Sequence, residues 1–264
     1  LGNDFVIIDN REKVTNLTKE QIIKICDRKF VGCDQLIIIK KHEISDASLE
    51  FYNSDGGVSG ACGNGTRCVA DLLARESDKK IVILNTLSGN LKSEILGDKI
   101  VSTEIGIGKT KWNEIPLSKN LNTKNLNIKI FDLDNNAHIG GTGINVGNPH
   151  IIFFVKNNEN FDIKKIGPEI ENHELFPEKC NVTLATIINK DLIKVKVWER
   201  GAGLTKACGT AACATAFAAK EKELTNNKVD IEFATGKLSI SIDDNNSIHM
   251  KGPVSDIKNI EIKI

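Results

Sequence analysis

Short apolar, β-branched runs recur along the chain, separated by polar turns that contain glycine or asparagine. "FVIID" (5–9), "QLIIIK" (35–40), "IIFFV" (151–155) and "LIKVKVW" (192–198) read as strands. Two segments break that pattern. "RCVADLLARES" (67–77) is apolar for two turns and then polar, and "ACATAFAAK" (212–220) is small or apolar almost all round, the mark of a helix buried inside its own lobe. After the first helix come "KIVILNT", "LKSEIL" and "KIVSTEI", separated by "LSGN" and "GDK". After the second come "VDIEFA", "LSISI" and "SIHMK", separated by "TGK" and "DDNN". Each half is therefore expected to be strands, one helix, then a meander. This is α+β with mostly antiparallel pairing rather than an alternating βαβ order.

The halves also match in sequence. "GNDFVII" (2–8) lines up with "GNPHIIF" (147–153), and "VGCDQL" (31–36) loosely with "EKCNVT" (178–183). "YNSDGG" precedes "SGACGNGTRCVADLLA" as "WERGAG" precedes "TKACGTAACATAFAA". Cys62 and Cys208 are 146 positions apart, and Asn53 and Glu199 each lie nine residues before their cysteine. A shared order at a shared offset points to an internal duplication whose period is half the chain. The lobes are expected at 1–110, completed by a strand at 254–264, and at 111–253.

Composition narrows the function classes. Lys+Arg and Asp+Glu are both 35, so the formal net charge is zero and nothing calls for nucleic acid. No apolar run is long enough to span a bilayer, and no signal-like segment is visible. The chain starts at Leu1 rather than Met, so a short upstream stretch is expected. Seven cysteines, an odd number, argue against a secreted disulfide framework, and neither CxxC nor HxxxH spacing is present for a metal. Most of these cysteines read as buried small hydrophobes. Cys62 and Cys208 stand apart because their contexts repeat.

Both cysteines precede a glycine and a helix start. The first turn of a helix leaves N–H groups unpaired and carries partial positive charge. A carboxylate can dock there, with glycine allowing close approach. A thiol placed there is expected to have its thiolate favoured. Inverting a carbon that bears hydrogen needs a base on one face and an acid on the other. Twin thiols from twin lobes meet that need, one starting as thiolate and the other as thiol.

The stretches "LGNDFVIID", "YNSDGG", "ACGNGTRC", "NVGNPH", "FPEKCNVT" and "WERGAGLTKACGTAAC" resemble the diaminopimelate epimerases, cofactor-independent amino-acid epimerases of lysine and peptidoglycan-precursor synthesis. The resemblance runs over essentially the whole chain. Proline-racemase relatives are expected to carry His in place of Asn64, and phenazine-type relatives to share the fold without the cysteine pair. The resemblance implies two pseudo-symmetric lobes, each a mostly antiparallel sheet or barrel around a central helix, with the active site in the cleft between them. It implies Cys62 and Cys208 as acid/bases in interconverting LL- and meso-diaminopimelate. Gly63, Asn64, Gly209 and Thr210 would hold the carboxylate of the reacting centre. Glu199 would engage the reacting ammonium, and Arg200 the distal carboxylate. Asn3, Asn53, Asn148 and Asn181, with Gln35, would recognise the remaining polar groups, and His150 would support them. No cofactor and no metal are implied. A homodimer in the cytoplasm, or in the plastid stroma of a plant, is expected. Cys33 and Thr66 stand where the family more often has alanine, and Cys68 and Cys213 read as packing.

Each residue also has a plainer reading. Asn53, Asn148 and Asn3 suit turns, His150 suits a structural hydrogen bond, Gln35 suits packing, and Glu199–Arg200 suits a surface ion pair. At the level of function, four alternatives stand beside the epimerase. They are a proline or hydroxyproline racemase, a thiol redox or metal protein, a pyridoxal-dependent racemase, and a duplicated scaffold without chemistry. The redox liability of two exposed thiols predicts that activity depends on reductant.

Overall fold

The computed structural model of the chain describes residues 2–60 and 62–262; Leu1, Ala61, Lys263 and Ile264 lie outside the described residues. The chain divides into two compact units. The N-terminal lobe is Asn3–Glu104 with the chain from Lys251, and the C-terminal lobe contains Ile105–Met250.

In the N-terminal lobe β1 (Phe5–Asp9) leads through α1 (Lys19–Cys26) to β2 (Gln35–Lys40), then β3 (Ala47–Asn53) and a short β4 (Val58–Ser59). Next come α2 (Gly63–Ser77), β5 (Ile81–Thr86), β6 (Gly89–Gly97) and β7 (Ile100–Ile107). The C-terminal lobe opens with a small ribbon, β8 (Ile128–Phe131) with β9 (Ala137–Gly140), and then β10 (Thr142–Asn145). The C-terminal lobe then runs β11 (Pro149–Phe154), α3 (Ile163–Glu171), β12 (Asn181–Asn189), β13 (Leu192–Glu199) and β14 (Gly203–Leu204). It finishes with α4 (Gly209–Glu221), β15 (Lys228–Phe233), β16 (Gly236–Ile242) and β17 (Ser247–Pro253).

The duplication holds element by element. Strand order β1-β2-β3-β5-β6-β7 is repeated as β11-β12-β13-β15-β16-β17, with β4 off β3 and β14 off β13. Most pairs are antiparallel, as the strand pattern predicts. Among the described residues four are parallel: β1 with β2, β3 with β5, β11 with β12, and β13 with β15. A parallel pair needs a crossover, and each of the four helices supplies one. Each lobe thus holds two helices rather than the one expected. α1 starts on a capping box in which Thr18 and Gln21 satisfy each other's backbone N–H. α3 starts on Asp162, whose carboxylate caps Lys164 N–H.

The central helices are where the cores form. Residues 211–219 of α4 are buried without interruption, packed among Ile193, Val195, Ile231, Ile240 and Ile248. An all-round apolar surface is what such a position requires, and a charge placed at Ala214 or Ala218 would be buried without a partner. α2 packs on Ile37, Leu49, Phe51, Val82 and Leu84 and keeps a polar last turn, as its sequence implies. The unit boundaries fall within β7 and within β17, a few residues from the expected 110/111 and 253/254. The expected strand at 254–264 is absent from its described part, since residues 254–262 carry no strand. Val254 is buried and donates its N–H to Lys99 C=O at 2.8 Å, but Pro253 ends the ladder.

Candidate active site

Both repeated cysteines sit at the N-cap of the central helix of their lobe. Cys62 has φ −139° and ψ 106°, and Cys208 has φ −135° and ψ 117°. Each cysteine's carbonyl accepts the first intrahelical bond, from Thr66 N–H at 2.8 Å and from Ala212 N–H at 3.1 Å. The Cys62 Sγ accepts from Gly65 N–H at 3.5 Å, while the Cys208 Sγ lies 3.4 Å from Thr210 Oγ1. A thiol thus stands where Ser, Thr or Asp would ordinarily cap.

Their electrostatics differ from the sequence expectation. Burial pushes the Cys62 thiol up to about 11, against the opposing pull of Gly65 N–H and the Arg67 guanidinium. The Cys208 thiol is raised well above its ordinary range by burial and then by the Glu199 carboxylate, opposed by Thr210 and Ala211 N–H. Desolvation outweighs the helix start at both sites, so in the ligand-free protein both groups are thiols.

In the N-terminal lobe the expected residues form two hydrogen-bonded sets. Arg67 Nη2 donates to Asn64 Oδ1 at 2.9 Å, Asn64 Nδ2 to Asn3 Oδ1 at 2.8 Å, and Asn3 Nδ2 to Asp34 Oδ2 at 3.0 Å. Gln35 and Asn53 are cross-strand partners, with Gln35 Nε2 donating to Asn53 Oδ1 at 2.9 Å. Gly63 opens α2 beside Cys62. Arg67, buried within α2, was not singled out by the sequence; it donates to Gly63 C=O at 3.5 Å and to Asn64 Oδ1 at 2.9 Å in its own first turn.

The C-terminal lobe gathers Asn148, His150, Asn181, Glu199 and Arg200 at the ends of β11, β12 and β13. His150 pairs with Asn181 in the β11–β12 register, and Val182 with Trp198 in the next. His150 is fully buried, with Nε2 at 2.8 Å from Asn148 Oδ1. Burial, helped by the Arg200 charge, lowers its pKa to about 3, so it is a neutral donor that fixes the Asn148 amide. Asn181 donates to Pro149 C=O at 2.9 Å and accepts Arg200 N–H at 3.0 Å, which leaves one amide N–H. Arg200, an exposed residue, donates from Nη1 to Glu178 C=O at 2.7 Å. Gly209 and Thr210 open α4. Among the described residues no cluster of His, Cys, Asp or Glu could hold a metal, and no helix is long and apolar enough to cross a membrane.

The same duplicated α+β architecture with a strand-wrapped helix in each lobe is found in solved structures of low sequence identity. A structure described as a predicted epimerase from Pseudomonas aeruginosa superposes with a TM-score of 0.64 at 12% identity, covering 96% of this chain and 90% of that one. A phenazine biosynthesis protein of the PhzF family from Bacillus anthracis does so at 0.63 and 14%, covering 94% and 90%. Sequence then narrows the class. The diaminopimelate epimerase family model matches residues 1–112 and 142–257. A diaminopimelate epimerase of Pelagibacter ubique (strain HTCC1062) is 70% identical over 264 residues, covering 100% of this chain and 96% of its own. The chain belongs to the diaminopimelate epimerase family.

Proposed function

We propose that this chain interconverts LL- and meso-2,6-diaminopimelate by moving a proton at the α-carbon between two thiols, Cys62 and Cys208. The observation that carries the reading is the pair of N-cap cysteines. Two thiols in the same backbone conformation open equivalent helices of a duplicated fold, in a chain of this family. One cysteine serves each face of the same carbon. In one direction a thiolate Sγ removes the α-hydrogen as a proton. The carbanion's charge spreads into its carboxylate, which the first-turn N–H groups at Gly63, Asn64, Gly209 and Thr210 stabilise. The opposing thiol returns a proton to the other face, and the cysteines exchange roles.

The substrate's own charges account for activating thiols that rest protonated. The reacting ammonium pairs with Glu199, which removes from Cys208 the carboxylate's unfavourable field and adds a favourable one. Arg200 takes the distal carboxylate with its free N–H donors, and Asn3, Gln35, Asn53, Asn148 and Asn181 fix the other polar groups. His150 keeps Asn148 oriented. The active form is a homodimer in a reducing cytoplasm, which keeps both thiols available.

The test is LL-diaminopimelate in heavy water with reductant and no added cofactor or metal. The native protein is expected to form the meso isomer with deuterium at the α-carbon. Cys62→Ser and Cys208→Ser are each expected to lose nearly all of this. An inactive native protein with both thiols intact, or a serine variant with native rates, would sink the reading.

A further inference from the structure

α3 ends in Glu171, which is 6% exposed. A helix C-terminus carries partial negative charge, so an anion there is the wrong sign, and a buried carboxylate is costly unless it is hydrogen-bonded. Two donors offset the cost. Trp198 Nε1 reaches Oε2 at 2.7 Å, and Gly201 N–H reaches Oε1 at 3.0 Å. These donors bracket Glu199 and Arg200. The intervening chain closes a β-turn, with Ala202 N–H on Glu199 C=O at 3.1 Å and Gly201 at φ +75°. One turn earlier on α3, Gly167 seats the indole: a Cβ there would lie 2.3 Å from Trp198 Cγ.

The duplicated lobe shows that the fold itself does not require this carboxylate. The last turn of α1 presents Ile25 and Cys26, both buried and apolar, and the matching turn after Asn53 closes on its own, through Asn53 N–H to Gly57 C=O and Gly57 N–H to Asp55. The carboxylate occurs only where the turn bears a Glu–Arg pair. We infer that Glu171 is a positioning residue: it fixes the Glu199–Arg200 turn so that both side chains meet the substrate without first being ordered. The inference rests on the proposed reading of Glu199 and Arg200 as substrate-binding groups.

Glu171→Gln tests it, because the amide keeps the shape but offers one acceptor where two are used. Amide hydrogen exchange reads the turn in the ligand-free protein, and kinetics with LL-diaminopimelate reads its use. Gly201 N–H is expected to exchange about tenfold faster or more, and KM to rise roughly tenfold with a smaller fall in kcat, in line with losing one charge-assisted bond. Discrimination against lysine, which lacks the distal carboxylate, is expected to narrow. A variant whose melting temperature falls while KM and discrimination stay native would overturn the inference, as would unchanged Gly201 exchange. If Glu171→Gln does not fold, Trp198→Phe removes only the indole donor and is expected to move exchange and KM the same way by a smaller factor; no movement overturns it. If the native protein fails on diaminopimelate, the functional reading falls, and Gly201 exchange still decides whether Glu171 holds the turn.

Discussion

Gly65→Ala sets helix propensity against packing at the start of α2. Propensity alone favours the alanine by about 0.8–1 kcal/mol, because Gly65 lies in the first helical turn. Packing opposes it. A Cβ on Gly65 would lie 2.7 Å from Ile37 Cδ1, 3.0 Å from Phe51 Cε1 and 3.5 Å from Phe5 Cε1. Ile37 and Phe51 are fully buried, so neither can swing into open space. Overpacking of this kind costs about 1–3 kcal/mol, and the net effect is a loss of roughly 1 kcal/mol, about 2–4 °C in melting temperature. The first turn must also move by tenths of an ångström, and it carries the Cys62 cap through Gly65 N–H. By the rule that a 1 Å misplacement costs about a hundredfold, kcat should fall several-fold.

The matching position of α4 is Ala211, which is fully buried. Ala211→Gly loses about 1 kcal/mol of propensity and about 0.8 kcal/mol for one buried methyl, with no clash relieved. Packing therefore predicts that both exchanges destabilise, whereas propensity alone predicts opposite signs. Thermal unfolding of both variants, with α-deuteration rates for Gly65→Ala, decides the matter. A stabilised Gly65→Ala protein with native activity would refute the reasoning.

Three further outcomes follow from the charges around the site. Arg67→Met should raise the pH midpoint for alkylation of Cys62, because a cation that favours the thiolate is removed. Glu199→Gln should lower that midpoint for Cys208, because an anion that opposes the thiolate is removed. Each is read by iodoacetamide kinetics with the other site cysteine replaced by serine, and shifts of the same sign in both lobes would contradict the assignment. His150 binds a proton only near pH 3 when folded but near 6.5 when unfolded, so the unfolded chain takes up more protons between those values. Its contribution is complete above pH 6.5 and is lost on acidification, by up to about 1.4 kcal/mol per pH unit. His150→Gln should accordingly show a shallower loss of stability between pH 6.5 and 4, and parallel curves would count against a neutral buried imidazole.

The strand runs and the two central helices were legible because their periods are local: alternation at β5, β6, β15 and β16, and an unbroken apolar surface on α4. The duplication was legible too, since a common offset needs no structure. α1 and α3 were not recovered. The Thr18–Gln21 capping box was a readable signal for α1, but Pro168 inside α3 argues locally against a helix there. Both thiols are pushed up rather than down, opposite to expectation, for a related reason. A helix start is a local feature that favours thiolate, whereas burial depends on what the rest of the lobe places over the sulfur. Glu171 escaped notice because no motif announces it, and Arg67 although it lies within "ACGNGTRC". The partners of Glu171 lie 27 and 30 positions away and meet it only through the packing of α3 on β13.

The duplicated backbone and the unequal side chains answer different demands of one reaction. If either thiol must serve as base or acid, their settings on the helix must match, and the φ and ψ values of Cys62 and Cys208 agree within 4° and 11°. Under the proposed reading the substrate places no such demand on the surrounding charges, because it would bind in one orientation, with its ammonium toward Glu199 and its distal carboxylate toward Arg200. The positions around the two cysteines have diverged accordingly. Asn53 stands opposite Glu199 and Arg67 opposite Cys213 in the sequence, and the strand registers put Gln35 opposite Asn181. A cation therefore faces the Cys62 thiol and an anion the Cys208 thiol. Swapping Asn53 and Glu199 between lobes would keep every backbone position and take the anion away from the Cys208 thiol, with Arg67 left beside Cys62. Such a protein should retain its fold and lose its turnover, because the helix starts would still hold both thiols while the ammonium would be drawn to the wrong one.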